Sequence, residues 1–327
     1  MHELSTDLGT QTEVVLGMPA VICSQAMRAV MGLIRRVAQT NAAVLLTGES
    51  GVGKEIVARA LHHYSLRCNA PWVDVNCGAL PEHLVESELF GYEKGAFSGA
   101  DRAKQGLFEM AHTGTLFLDE IGELYPRMQV KLLRVLDGVP YFRLGSVKKI
   151  SVDARIITAT NQNLEEAIQE GNFRSDLYHR LSQVHVHVPS LRERPEDIPA
   201  LAEFFLHNHN PHLRFTTDAL EALRRYPWPG NVRELRNAVM RAAILASGGE
   251  VRAADLPAAI GLATQGKPVI PPTRLEEMER RMIRQMLEQT GGHHSKAAQM
   301  LGISRRTLTR KLKKYGAEDA CESLAAC

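Results

Sequence analysis

Two short segments of this sequence carry groups able to handle a phosphate. Gly48-Glu49-Ser50-Gly51-Val52-Gly53-Lys54-Glu55 follows the apolar run Val44-Leu45-Leu46 and precedes Ile56-Val57-Ala58-Arg59-Ala60-Leu61. An apolar run, then glycines, then helical periodicity predicts strand, loop, helix. In a phosphate-binding loop the glycines let successive backbone N–H groups face phosphate oxygens, and the following helix N-terminus adds positive dipole. Lys54 then reaches the β- and γ-phosphates. Ser or Thr normally follows this lysine and holds Mg²⁺ through its hydroxyl; here that position is Glu55. Taken alone, the segment reads either as such a loop or as a glycine-rich turn.

The second segment is Asp119-Glu120, at the end of the apolar run Leu116-Phe117-Leu118. Two adjacent carboxylates at the end of a buried strand are costly unless a cation or a reacting group compensates them. Beside a phosphate loop they make a nucleotide-hydrolysis site, in which Asp119 holds Mg²⁺, partly through water, and Glu120 orients and deprotonates the attacking water. The alternative is an acidic pair that caps the next helix. Asn161 closes another apolar run and is placed to touch a γ-phosphate or the water; it also suits a turn.

The elements that must position these groups follow from periodicity. Apolar residues Ile22, Met27, Val30, Ile34 and Val37 predict a helix over about 21–39. Strands are expected at Val44–Leu46, Trp72–Asn76, Leu116–Glu120, Ala154–Thr160 and Val184–Val188. Strands alternating with helices imply a parallel sheet covered on both faces, with ligands at the carboxyl ends of the strands. From Pro189 to about Ile260 the pattern is helical, with Leu220, Leu223, Leu235, Val239 and Ile244 on the apolar faces.

The chain has 327 residues, 44% hydrophobic and 23% charged, enough for two or three domains. Its net charge is only +2, so any nucleic-acid affinity must be regional. No apolar run nears the roughly 20 residues of a membrane span, and the first residues lack signal-peptide character. A cytoplasmic protein with no membrane partner is expected. Cys23, Cys68, Cys77, Cys321 and Cys327 form no C-x-x-C pair, which predicts reduced thiols. His207, His209 and His212 fall in a loop-like stretch, and His185 with His187 offers two ligands at most, so solvated or core histidines are expected rather than a metal site.

Six segments together closely resemble the bacterial enhancer-binding proteins, AAA+ ATPases that activate transcription by sigma-54 RNA polymerase. They are Gly48–Glu55, Glu88–Gly91, Gly95–Ala100, Gly114–Ile121, Phe173–Tyr178 and Trp228–Leu235. Glu after the phosphate-loop lysine is usual in that family. The resemblance implies that Asn76 holds the catalytic glutamate in an inactive pose. It implies that Arg174 and Arg180 are offered in trans to the neighbouring subunit's γ-phosphate, and that Arg233 is the lid arginine that senses nucleotide. Gly95-Ala96-Phe97-Ser98-Gly99-Ala100 matches the finger that grips sigma-54, with Ser98 in place of the family threonine. Small residues around one Phe suit a mobile loop with an exposed apolar tip better than a core element. An insertion over about 125–149, ending in Phe142-Arg143-Leu144-Gly145-Ser146, resembles the companion pore loop.

Residues 261–272 turn to Gly, Ala, Thr and Pro and read as a linker. A helix restarts at Thr273, with Glu276 at capping-box spacing. Leu275, Met278, Met282, Met286 and Leu287 then form one apolar stripe, suited to a core or a dimer contact. Gly291-Gly292 and Gly302 divide the next stretch into a helix-turn-helix. Between His293 and Gly316 stand seven Lys or Arg and no Asp or Glu, the footprint of phosphate attraction. This part resembles the Fis-type DNA-binding domain, which nominates Ser304, Arg305, Thr307, Thr309 and Arg310 for DNA contact, with Lys313 and Lys314 nearer phosphates.

The expected organisation is a short N-terminal segment (1–20), an AAA+ α/β ATPase subdomain with helices on both faces of a parallel sheet (21–188), a helical lid (189–260), the linker, a small all-α DNA-binding domain (273–318) and a tail (319–327). The implied cofactors are ATP and Mg²⁺. The implied partners are sigma-54 RNA polymerase holoenzyme, enhancer DNA, the chain itself from dimer to hexameric ring, and a regulatory protein acting in trans, as for short family members without a sensory domain. Two other classes compete: a DNA-binding regulator using ATP only as a conformational ligand, which Glu120 and the trans arginines oppose, and an AAA+ remodeller of replication or quality-control substrates, which the Gly95–Ala100 loop opposes.

Overall fold

The computed structural model describes residues 11–263 and, beyond them, residues 282, 283, 286, 290, 300 and 308. The chain divides into two compact units, Met1–Lys267 and Pro268–Cys327. In the first, an antiparallel hairpin of β1 (Gln11–Val15) and β2 (Met18–Ile22) leads into α1 (Gln25–Ala38), which Ser24 caps by accepting from the Met27 N–H. The expected helix over 21–39 therefore starts later. Val21 and Ile22 belong to β2, where Val15, Ala20 and Ile22 pack into the core with Met27, Met31 and Ile34. Alternation tells the faces apart: Val14 is exposed and Val15 fully buried.

Next come β3 (Val44–Thr47), α2 (Lys54–His63), β4 (Trp72–Asn76), α3 (Glu82–Phe90), the two-residue strands β5 (Gly91–Tyr92) and β6 (Lys104–Gln105), α4 (Leu107–Met110) and β7 (Thr115–Asp119). They are followed by α5 (Pro126–Leu136), the small hairpin β8 (Tyr141–Phe142) with β9 (Lys149–Ile150), β10 (Arg155–Thr160), α6 (Leu164–Gln169), α7 (Ser175–Leu181) and β11 (Val184–His187). Five strands form the central sheet in the order β11, β3, β10, β7, β4, every pair parallel. All of β10 and most of β7 are buried, as a sheet covered on both faces requires. The sheet separates two apolar layers. One packs α1 and α2 against Leu46, Phe117 and Ile157; the other packs α3 and α5 against Leu116, Leu118 and Ile156.

The helical part comprises α8 (Asp197–His209), β12 (Arg214–Phe215), α9 (Thr217–Arg225), α10 (Asn231–Leu245), β13 (Glu250–Val251) and α11 (Ala258–Ala263). Its core includes Leu223, Trp228, Leu235 and Val239, all fully buried. Two expectations are corrected here. Ile244 is 71% exposed because it lies on the outer face of α10, while the inner face of the same turn is filled by the buried Ala242 and Ala243. His207 and His209 lie in the last turn of α8 rather than a loop, where cations suit the helix dipole. In the second unit Met282 is exposed while Ile283 is buried, so the stripe through Met282 is not the buried face there. Among the described residues no helix is long and apolar enough to cross a membrane.

Val15→Asp tests whether the hairpin is part of the ATPase core. An unpaired carboxylate at that buried position is expected to cost about 3 kcal/mol, read as a lower urea midpoint for the first unit. An unchanged midpoint would separate the hairpin from the core.

Candidate functional site

The phosphate-loop segment runs from the end of β3 to the start of α2 between two walls of backbone. Gly48 has φ +150°, and a Cβ there would stand 2.6 Å from the Val188 carbonyl oxygen. Gly51 has φ +79°, and a Cβ there would stand 2.6 Å from the Gly230 carbonyl oxygen. Only glycine satisfies both the dihedral and the space at these positions. Lys54 opens α2, is 7% exposed, and donates from Nζ to the carbonyls of Gly48 (2.8 Å) and Glu49 (3.2 Å). Burial lowers its pKa, while the charges of Glu120 and Asp119 act to keep it protonated. Glu55 is exposed and binds Arg59 one turn along α2 (3.0 and 2.8 Å).

Asp119 and Glu120 stand at the carboxyl end of β7, two strands from the loop. The Glu120 backbone has φ +51°, a left-handed conformation rare outside glycine and a marker of strain at working sites. Its N–H donates to Asp119 Oδ1 (3.0 Å) and its Oε2 accepts from the Asn161 N–H (3.2 Å). Burial raises the Asp119 carboxyl above the usual carboxylate range, against the pull of the Glu120 N–H and Lys54. The resemblance pairs Asn76 with the glutamate; here it lies with Asp119 instead. Asn76 and Asp119 are register partners of β4 and β7, which brings Asn76 Nδ2 to 3.5 Å from Asp119 Oδ2, while Asn76 Oδ1 accepts from the Ala79 N–H (3.0 Å). Glu120 is held by the backbone of Asn161, whose own side chain is exposed. Cys77, buried behind the two carboxylates, has its thiol pushed up to about 12 by burial and by their charge.

The helical part closes over the loop. The Val232 N–H donates to the Gly51 carbonyl (3.0 Å), and Arg233 Nη1 reaches Ser50 Oγ (2.8 Å). Sequence reasoning assigned no role to three neighbours. Asn231 is fully buried at φ +51°; its amide donates to Glu49 Oε2 (3.0 Å) and the Ser50 carbonyl (3.1 Å) and accepts from the Leu191 N–H (2.8 Å). Arg192 pairs with Glu49 and lowers its pKa. Arg194, 3% exposed, donates to the Val52 carbonyl and faces Asp197 at 3.6 Å. Asp197 in turn accepts from the N–H groups of Cys23 (2.7 Å) and Ser24 (2.6 Å) and the Ser24 hydroxyl (2.8 Å). The signal for Asn231 was legible in Pro-Gly-Asn, because Asn tolerates left-handed backbone; the arginines looked like surface charges.

Other site residues lie elsewhere. Arg174 binds Asp176 (3.0 and 2.7 Å), and Arg180 binds the Leu136 carbonyl (2.7 Å) and faces Asp137 (3.3 Å). Both are exposed, and none of these partners belongs to the phosphate loop. Between β5 and β6 the Gly95–Ala100 loop is closed at its base by the Gly95 N–H to Ala100 carbonyl bond (2.9 Å). Phe97 is 43% exposed with its ring edge-on to Tyr92, Ser98 is exposed, and Ala100 is buried. The hairpin insertion supports this loop: the Glu93 N–H donates to the Leu144 carbonyl (3.0 Å), Arg143 binds Glu93 (3.1 Å) and Glu109 (2.8 and 2.6 Å), and Gly145 lies against Ala96. Ser304, Arg305, Thr307, Thr309, Arg310, Lys313 and Lys314 fall outside the described residues. Among the described residues no three His, Cys, Asp or Glu side chains gather as metal ligands.

Comparison with known proteins matches three successive segments of the chain. Residues 20–187 match a sigma-54 interaction domain, 192–269 an AAA+ ATPase lid domain, and 274–315 the Fis family of bacterial regulatory proteins. The transcriptional regulatory protein ZraR of Klebsiella oxytoca is 49% identical over 301 residues, which are 89% of this chain and 68% of that protein. The DNA-binding transcriptional regulator NtrC of Escherichia coli K12 is 44% identical over 324 residues, 90% of this chain and 69% of that one. Crystal structures of NtrX from Brucella abortus with ADP and with ATP each superpose with a TM-score of 0.68 at 41% identity, covering 91% of this chain and 69% of theirs.

The raised Asp119 pKa has a sign that can be checked. Its charged form is disfavoured by folding, so the cost is absent below the carboxyl's unfolded-state pKa and grows as pH rises through the folded-state one. Asp119→Asn is therefore expected to raise Tm at pH 7, by on the order of 1 °C because the site is partly open to water. Thermal melts across pH should show the gain fading in acid; a lower Tm at pH 7 would contradict the assignment.

Proposed function

The chain belongs to the sigma-54-dependent transcriptional activators, with an AAA+ domain of the P-loop NTPase class and a Fis-type DNA-binding domain, and on that premise we propose that it binds enhancer DNA, assembles into a ring, and hydrolyses ATP to convert the closed complex of sigma-54 polymerase into an open one. The observation that carries this reading is the convergence on one loop of a buried lysine, two strand-end carboxylates and a lid arginine.

The groups fit MgATP. Phosphate oxygens take the place of the Gly48 and Glu49 carbonyls as acceptors for Lys54 Nζ, and the glycine dihedrals leave the loop backbone bare toward them. Asp119 offers a hard carboxylate oxygen to Mg²⁺, which when bound neutralises charge on the β- and γ-phosphates. Glu120, on its left-handed turn, accepts the proton of the attacking water, and Asn161, whose N–H holds the Glu120 carboxylate, sits where that water is oriented. Arg233 stays with the loop on Ser50 and reports phosphate state to the lid. Arg174 and Arg180 are exposed and bonded away from their own phosphate loop, which suits service in a neighbouring subunit's site. The half-exposed Phe97, on a loop tied to its neighbours by backbone, is the surface offered to sigma-54.

Promoter opening on a sigma-54 template tests the whole reading. Glu120→Gln is expected to keep ATP binding and lose about 10²–10⁴ in turnover, and Phe97→Ala to keep turnover and lose opening. Opening by the wild type without hydrolysable ATP would overturn the mechanism. Separately, Arg305→Ala should weaken enhancer binding, measured by gel shift, while ATPase at high protein concentration is unchanged; equal DNA affinity would remove Arg305 from the interface.

A further inference from the structure

Gln129 lies in the first half of α5 and is fully buried, yet it makes no contact with the phosphate loop. Its amide spans two parts of the site that are far apart in sequence. Nε2 donates to the Leu124 carbonyl (2.7 Å) and the Asn172 carbonyl (2.9 Å), and Oε1 accepts the Arg174 N–H (2.9 Å). Leu124 ends the short helical turn that starts at Glu120, where the Glu123 N–H donates to the Glu120 carbonyl (3.0 Å). Arg174 is the N-cap residue just before α7, and it makes no side-chain capping bond there. One planar amide thus fixes the segment after the hydrolytic glutamate to the segment that launches the arginine.

Only glutamine meets the demand. The position needs two donors and one acceptor on one rigid plane at the end of a two-methylene stem. Glutamate lacks the donors, methionine has no donor and only a weakly accepting sulfur, and asparagine is one methylene short. A buried amide with every bond made fixes geometry well, because the bond to the Leu124 carbonyl is closed to water and the other two are partly so. We infer that Gln129 is a positioning residue that holds Arg174 at the angle the neighbouring subunit's site requires, using the subunit's own glutamate turn as the reference. This rests on the reading that Arg174 acts in trans.

Mixed oligomers separate the roles. Gln129→Met keeps the volume and removes the bonds; alone it should keep ATP affinity and lose about tenfold or more in turnover. Mixed with Glu120→Gln, it supplies intact glutamates to intact arginines, and turnover should rise several-fold over either variant alone. Mixed with Arg174→Ala it should gain nothing. The reverse pattern, rescue by Arg174→Ala and none by Glu120→Gln, would overturn the proposal and place the defect in the subunit's own Glu120; wild-type turnover for Gln129→Met alone would overturn it as well. An Arg174→Ala plus Glu120→Gln mixture is the control: if that pair shows no rescue, the trans reading fails, whatever Gln129 does. Should Gln129→Met not fold, Gln129→Asn, which keeps an amide with short reach, is expected to give the same mixing pattern at higher residual turnover.

Discussion

Everything in the nucleotide site depends on how closely the lid backbone approaches the phosphate loop. The Gly230 carbonyl occupies the space a side chain at residue 51 would need, the Val232 N–H bonds to the Gly51 carbonyl, and the Asn231 amide reaches the Ser50 carbonyl and the Glu49 carboxylate. These are contacts between main chains or through a buried amide, so they have little slack. Lid and loop behave as one surface, and Arg233 is carried to Ser50 by that contact rather than by its own reach. Glycine at 51 is thus required twice, once for the left-handed turn and once for the neighbour.

Around this seam the structure accepts unusual electrostatic costs. Arg194 and Asp197 are buried together, with Arg194 on the Val52 carbonyl and Asp197 on the N-terminus of α1. Arg155 is buried at the other end of the sheet, bonded to the carbonyls of Val37 and Ala38, and burial lowers its pKa to about 10. Both ends of α1 are therefore held by charged side chains suited to its dipole, an anion at the start and a cation at the end. The phosphate-loop region is anchored by ionic groups at depths where apolar residues are the rule, which places α1 accurately even where packing alone would tolerate drift.

Local pattern carried much of this. The phosphate loop, the Asp119-Glu120 pair and the five strands were legible because glycine spacing and buried apolar runs are properties of consecutive residues. The hairpin was not, since Val21 and Ile22 continue the helical spacing of α1 and nothing nearby marks them as strand; the face they bury is supplied by the core. Ile244 misled for the opposite reason, its spacing being helical while the small Ala242 and Ala243 make the buried face of that turn. Arg194 and Gln129 were silent because the bonds that give them their roles, to Val52, Asn172 and Arg174, span 43 to 142 residues, and no short window along the chain contains both ends of such bonds. Asn76 shows a finer limit: its strand was correctly placed, but which carboxylate it faces is decided by register across the sheet.

The buried Asp197 has a mechanical consequence. Its carboxylate accepts two main-chain N–H groups and a hydroxyl from residues 23 and 24 and sits beside the Arg194 guanidinium, at a depth where solvent cannot replace them. Pulling α8 away from α1 would strand several polar groups at once, so the joint between the two subdomains works as a rivet and the root of the lid has almost no travel. Motion has to come from elsewhere, through the softer side-chain contacts that Arg192 and Arg233 make near the loop. A lid riveted at its root and joined at its edge to the phosphate loop takes up a small change at the phosphates as tilt rather than separation, as a leaf spring does.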